Sequence, residues 1–261
     1  MNNIKLMKAV TKGILHEVID YCGCIGLMLK ESKVEAEYVK SIPAPISLFP
    51  CCVPEPFYHH AIKVQPSINT LVEKLTRDST TIHKILKPFA DIDEFPRKLL
   101  EISTKYHASK HKQDVYLGII RMDYMLDVVQ KKLLMVEYNT IASSFGVLSD
   151  KLNLVQRFIY MRYPHLLPSD FSLDRLAPSN DFINKATEAF ATCINLYKKG
   201  NALAKEVHMA VIVQEGERNV YDQKPLEINA FQQHGIPSMR LTFKEAYENG
   251  KMDPETGILT M

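Results

Sequence analysis

The spacing of apolar residues changes period near residue 110, and that change limits the chain to folds that join a helical region to a sheet. Met7, Val10, Ile14, Val18, Cys22 and Leu29 recur at roughly helical spacing, which predicts an amphipathic helix over the first thirty residues. Segments 61–77, 81–89 and 97–109 repeat that spacing, with Asp91-Ile92-Asp93 as a helix-start signal. Between these helical stretches, five prolines in residues 41–56 (Pro43, Pro45, Pro50, Pro54 and Pro56) oppose regular helix and favour extended backbone. They predict a long ordered loop over the surface. Segments 115–123 and 133–139 are short, apolar and rich in β-branched residues, with Asp127, Lys131 and Lys132 between them. They predict an antiparallel strand pair.

Helical spacing returns over 149–161, a loop carrying Pro164, Pro168 and Pro178 follows, and another helix is predicted over 180–197, ended by Lys198-Lys199-Gly200-Asn201. Residues 209–214 form a buried-strand run. A helix over 222–234, stopped by Gly235, and a second strand over 238–241 complete a β-α-β unit with parallel pairing and a right-handed crossover. A short helix over 243–249 and a turn at Asp253-Pro254-Glu255-Thr256-Gly257 lead to an apolar strand, 258–261, whose pairing the sequence leaves unexplained. The expected fold class is α/β (mixed α+β), with a helical and antiparallel-sheet region over 1–204. From 205 to 261 the expectation is the start of a second domain built on a parallel β-α-β unit.

Composition narrows the partners. With 32 Lys plus Arg against 30 Asp plus Glu the formal charge is +2 and the signs are interspersed, so no basic footprint points to nucleic acid or an anionic membrane. Lys5, Lys8, Lys12, Glu17 and Asp20 interrupt the N-terminal stretch, which excludes a signal-peptide core or membrane span there and leads to a cytoplasmic expectation. Five cysteines are an odd number, and Cys22, Cys24, Cys51 and Cys52 lack the usual zinc-ligand spacing, so they read as reduced, buried or incidental thiols. His59, His60 and His111 have no nucleophile or metal partner at recognisable spacing.

Chemistry concentrates in three segments. Arg121-Met122-Asp123-Tyr124-Met125 and Glu137-Tyr138-Asn139-Thr140-Ile141-Ala142-Ser143-Ser144-Phe145-Gly146 set charged and amide groups at strand spacing within apolar sequence, where a charge is costly unless compensated. On a strand Glu137 and Asn139 share a face. They form either a hard-oxygen pair suited to Mg²⁺ or a solvent-facing edge. The loop from Ile141 through Ala142, Ser143 and Ser144 offers hydroxyls and backbone amides to a carboxylate or phosphate. Arg121 and Asp123 also share a face, which fits either an anion held by the guanidinium or a structural salt bridge. Glu217-Arg218-Asn219 and Asp222-Gln223 follow the strand run at 209–214, the place where α/β units bind ligands. Asp222 reads as the N-cap of the next helix.

In this order and at these separations the three segments resemble the eukaryotic-type glutathione synthetases. That family shows Arg-Ser-Asp-Tyr-Met, Glu-x-Asn-Thr-Ile-Ser-x-Ser-Phe-Gly and Glu-Arg-Asn-x-x-Asp-Gln-Arg, matched here at Arg121 to Met125, Glu137 to Gly146 and Glu217 to Lys224. Ser47-Leu48-Phe49-Pro50, Val64-Gln65 and Leu117-Gly118 extend the resemblance over nearly the whole chain. Met122, Ala142, Val147 and Lys224 depart from the family's Ser, Ser, Gly and Arg. The resemblance implies an ATP-grasp ligase that joins γ-glutamylcysteine to glycine through an acyl phosphate, with ATP as co-substrate and Mg²⁺ as cofactor. By matched position Glu137 and Asn139 would hold Mg²⁺, with Glu137 also at the ATP phosphates. Arg121 would act catalytically beside the reacting carboxylate. Ile141, Ala142, Ser143, Ser144, Glu217, Arg218, Asn219 and Gln223 would contact γ-glutamylcysteine or glutathione. The family's further elements, a Gly-rich lid loop, nucleotide lysines and a third metal carboxylate, have no counterpart in these 261 residues. The expectation is therefore an N-terminal portion, inactive alone, of an enzyme that is a homodimer when complete. Two alternatives are a non-catalytic relative acting by binding, and a ligase using another acceptor amine.

Overall fold

A computed structural model describes residues 2–31, 40–166, 172–176, 178, 181–201 and 206–261. Pro168, the start of the helix expected at Asn180 and the expected domain boundary at 204/205 lie outside the described residues. In chain order the elements are α1 (Asn2–Ile25), β1 (Met28–Lys30), β2 (Ser41–Pro43), α2 (Glu55–Arg77), α3 (Ser79–Ala90), α4 (Glu94–Ala108), β3 (Arg121–Asp127) and β4 (Lys132–Asn139). They continue with α5 (Gly146–Arg162), two 3₁₀ turns, α6 (Phe182–Gly200), β5 (Met209–Ile212), α7 (Val220–His234), β6 (Ser238–Leu241), α8 (Phe243–Asn249), β7 (Lys251–Met252) and β8 (Leu259–Thr260). The mixed α/β class expected from the pattern is the class observed.

The chain divides into two compact units. Unit 1 comprises Met1–Cys51, Ser144–Gly250 and Met261. Its core is the apolar stripe of α1 (Ile14, Val18, Cys22) closed by Leu27 and Ala44 and by Leu148, Val155 and Ile159 of α5. Those α5 positions fall at helical spacing, which is why one face of the helix is apolar and buried. Tyr21 stacks on Phe158 at 4.8 Å between ring centroids. In the same unit β5 and β6 pair in parallel, Met209 opposite Ser238 through Ile212 opposite Leu241, with α7 between them in sequence, so the β-α-β unit is present. Gly235, at φ +63°, ends α7 in the left-handed cap conformation that glycine adopts without penalty. Buried Glu227 ties α7 to β6, pairing with Arg240 and accepting hydrogen bonds from Lys224 Nζ (3.0 Å) and Ser238 Oγ (3.2 Å).

Unit 2 comprises Cys52–Ser143 and Lys251–Thr260. It stacks α2, α3 and α4 and carries two hairpins, β3–β4 and β7–β8. As the Asp91-Ile92-Asp93 signal predicts, Asp93 caps α4 by accepting from the Phe95 amide at 2.8 Å. Only Val72 and Ala90 of this unit are buried, while Ile92, Phe95, Val129 and Ile141 are each more than two-thirds exposed.

Four expectations about the course of the chain are corrected. The N-terminal helix ends at Ile25 rather than near residue 30, and Leu29 lies in β1. The first strand of the antiparallel pair, β3, runs over Arg121–Asp127, not 115–123, because the Asp127 carboxylate accepts from the Val129 and Gln130 amides (2.9 Å each) and places the hairpin turn there. Pro54 and Pro56 do not extend the loop: Pro54 is the N-cap of α2, and Pro56 sits in its first turn, where a missing N–H costs nothing. The apolar strand at the chain's end has a partner, since Leu259–Thr260 pairs antiparallel with Lys251–Met252 and His111 hydrogen-bonds the Pro254 carbonyl at 2.9 Å.

Candidate functional site

The segments singled out in the sequence fall in both units. Arg121, Glu137, Asn139, Ile141, Ala142 and Ser143 belong to unit 2, and Ser144, Glu217, Arg218, Asn219 and Gln223 to unit 1.

In unit 2 the hairpin register sets Arg121 opposite Asn139 and Asp123 opposite Glu137, and strand alternation turns all four side chains to one face. A β-bulge follows at Asp123/Tyr124, where the register shifts. The Arg121 fork closes on Asp123, Nε to Oδ1 and Nη2 to Oδ2, both at 2.8 Å. The salt-bridge reading of Arg121 is thus realised within its own strand, and two of its five N–H groups are committed. Asn139 Nδ2 donates to Asp123 Oδ2 and to Glu137 Oε1, each at 3.3 Å, so the amide oxygen is the end of Asn139 available to a cation. The hydrogen bond from Arg121, reinforced by its charge and by Asn139, holds the Asp123 carboxyl below the usual range, and the same bond raises Arg121. Asp123, not among the expected site residues, is therefore the hub of the cluster. Its place two residues from Arg121 was the signal for it.

Asp123 is depressed in the fold, so its contribution is complete above the unfolded carboxylate value of about 3.9 and is lost as pH falls through the lower folded value. A ¹³C titration of the Asp123 carboxyl is expected to show that low midpoint, and Arg121→Met to return it to the ordinary range. An ordinary midpoint in the unsubstituted chain would contradict the pairing.

Beyond β4 the chain turns sharply. Ala142 takes φ +52°, a left-handed conformation that a β-carbon disfavours, and Ser143 Oγ donates to the Asn139 carbonyl at 2.7 Å. Ile141 is 87% exposed.

In unit 1, Asp222 does not cap its own helix; Asn219 occupies the N-cap of α7. The Asp222 carboxylate instead accepts from the backbone amides that open α5: Phe145 at 2.6 Å on Oδ2, Val147 and Leu148 at 3.0 Å on Oδ1. Capping was the right chemistry on the wrong helix, because a residue's own sequence neighbours do not reveal which distant amides lack partners. Asn219 Nδ2 also reaches Asp222 Oδ2 (3.3 Å), while Asn219 Oδ1 is buried without a hydrogen-bond partner. Glu217 Oε1 accepts from the Asn219 amide at 2.7 Å. Arg218 is half engaged: its Nε donates to the Lys30 carbonyl (3.0 Å), and the Lys30 amide returns a bond to the Arg218 carbonyl (3.1 Å). Gln223 Oε1 accepts from Arg240 Nη2 at 2.7 Å, the guanidinium that also pairs with Glu227. Lys151 donates to the Gly26 carbonyl at 2.9 Å; burial pulls its ammonium below the usual lysine range, against the opposing pull of Asp222.

Among the described residues no group of three or more His, Cys, Asp and Glu side chains is placed to hold a metal. The donor set of Glu137 and Asn139 fits Mg²⁺ in another way, since that ion takes one or two protein oxygens and completes its shell with substrate phosphates and water. No helix among the described residues is long and apolar enough to cross a membrane.

The family model described as eukaryotic glutathione synthase, ATP binding domain, matches residues 8–249, and the chain belongs to that family. Glutathione synthetase of Dictyostelium discoideum is 31% identical over 248 residues, covering 92% of this chain and 50% of that protein. A chloroplastic glutathione synthetase of Solanum lycopersicum is 30% identical over 246 residues (93% and 44%), and the Homo sapiens glutathione synthetase 27% over 245 (93% and 49%). The chain spans about half the length of these relatives. In fold it is similar to a glutathione synthetase like-effector from Globodera pallida in apoform, with a TM-score of 0.73 at 17% identity, over 97% of this chain and 55% of that one.

Proposed function

We propose that this chain carries the γ-glutamylcysteine-binding and Mg²⁺-binding face of a glutathione synthetase. In the complete protein, ATP phosphorylates the substrate carboxylate and glycine then displaces the phosphate. The observation that carries the reading is the face of β3–β4 on which Glu137 and Asn139 stand beside the Arg121–Asp123 pair. Mg²⁺ held by Glu137 and Asn139 would shield the charge of the phosphoryl group, the principal electrostatic need of such a transfer. Glu137 would also adjoin the ATP phosphates, and Arg121, with its remaining N–H groups, would steady the reacting carboxylate. Ser143 and Ser144 supply hydroxyls to the substrate, Asn219 supplies the buried acceptor, and Ile141, Ala142, Glu217, Arg218 and Gln223 complete the contacts. Cytoplasmic location and a homodimeric complete protein belong to the same reading. So does the restriction of this chain to part of the enzyme.

The test uses Mn²⁺ as a paramagnetic probe in Mg²⁺'s place. Broadening of the Glu137 and Asn139 amide signals is expected in the unsubstituted chain, with at least tenfold weaker binding after Glu137→Gln. Equal broadening in both would reject the assignment. A second reading is a relative that binds substrate without catalysis. Ligation of glycine by the complete protein, or its absence, separates the two, and β-alanine or serine as competing acceptors tests the amine.

A further inference from the structure

The same oxygen of one carboxylate orients two of the elements assigned to substrate in unit 1. Asp222 is 6% exposed. Its Oδ2 accepts from the Phe145 amide at 2.6 Å and from Asn219 Nδ2 at 3.3 Å, and its Oδ1 is occupied by the Val147 and Leu148 amides. Phe145 stands at φ +74°, a left-handed conformation that a bulky side chain holds only where its surroundings impose it. In a trans peptide the carbonyl points opposite to the N–H. An N–H of Phe145 fixed on Asp222 therefore turns the Ser144 carbonyl away from it and sets the plane of the Ser144–Phe145 peptide. On the other side, engaging Asn219 through Nδ2 leaves Oδ1 as its presented end, and that oxygen is buried without a partner. A buried acceptor in this state calls for a donor.

We propose that Asp222 is a positioning residue for the substrate. It makes no contact with the ligand, but through Oδ2 it fixes the Ser144 peptide and turns Asn219 Oδ1 toward an N–H donor, an ammonium or amide group of the bound molecule. This rests on the reading of unit 1 as a γ-glutamylcysteine face. Gln223, one residue on, is held by Arg240 rather than by Asp222 and is outside the device.

The experiment is titration calorimetry of the whole 261-residue chain with γ-glutamylcysteine, without ATP. Asp222→Asn keeps an oxygen for Val147 and Leu148 but sets an amide donor against the Phe145 N–H and Asn219 Nδ2. Binding is expected to weaken at least tenfold while the Mn²⁺ affinity of the Glu137 site is unchanged. Asn219→Ala leaves the three bonds onto α5 intact and is expected to weaken binding to a similar degree, which keeps the proposal open to refutation if Asp222→Asn does not fold. Undiminished affinity in either folded variant overturns the proposal. So does a joint loss of Mn²⁺ and γ-glutamylcysteine binding in Asp222→Asn while Asn219→Ala binds normally, which would mark Asp222 as structural only. No heat from the unsubstituted chain overturns the substrate-face reading itself, and the proposal with it, an outcome distinct from equal binding by all three proteins.

Discussion

Replacing Asp222 by alanine is expected to cost the chain about 2–6 kcal/mol, the range of about 1–3 kcal/mol for an unsatisfied buried amide taken over the Val147 and Leu148 N–H groups. Three backbone amides converge on the carboxylate. Val147 and Leu148 are 0% and 5% exposed, so water cannot replace the lost acceptor at those positions, whereas Phe145 is 54% exposed and can be hydrated. Alanine would also remove the negative charge facing the positive end of α5. Because α5 supplies Leu148, Val155 and Ile159 to the core of unit 1, fraying its first turn loosens that core. A total stability of roughly 5–15 kcal/mol leaves little margin. Urea denaturation followed by a unit 1 signal, such as the environment of stacked Tyr21, measures the loss. A change below about 1 kcal/mol would mean that the α5 amides find other acceptors.

The second large effect is steric. A β-carbon on Gly146 would lie 2.3, 2.4 and 2.6 Å from Cε1, Cδ1 and Cζ of the Phe182 ring, distances no real contact permits. Gly146 opens α5 and Phe182 opens α6, so the glycine is where the starts of the two helices meet. The Phe182 amide is anchored on Asp150 Oδ2 at 2.9 Å, so its backbone cannot move aside without losing that bond. Gly146→Ala is expected to destabilise by about 2–3 kcal/mol, the upper part of the range for overpacking. That corresponds to roughly 5–10 °C in Tm for a chain of this size. Trimming the ring relieves the clash, so adding Phe182→Leu to Gly146→Ala is expected to restore part of the loss, a non-additivity that a double-mutant cycle reads directly. Additive effects would place the strain elsewhere.

At both positions the sequence carries the residue type but not its reason. Gly146 ends the segment that carries the family resemblance, but its packing reason lies 36 positions away in Phe182 (182 − 146), beyond any local pattern. Asp222 is suggested by its position as the N-cap of its own helix, because aspartate near a helix start satisfies orphan amides, but Asn219 holds that place. The amides it serves belong to α5, more than seventy residues earlier. Arg218 lies in the loop before α7 and Gln223 in the first turn of that helix, yet their restraint by the Lys30 carbonyl and by Arg240 comes from β1 and β6.

The sequence by itself determined the period of each segment, and with it the helices, the β3–β4 hairpin, the parallel β-α-β unit and the shared face of Glu137 and Asn139. Those features follow from local spacing and from turn chemistry, which each stretch carries within itself. Only the tertiary structure decided that the Arg121 fork closes on Asp123, that the last strand has a partner, and that Asp222 serves α5 and Asn219 together. Each of these depends on which donor meets which acceptor once water has been excluded, and that is settled only when the chain is packed.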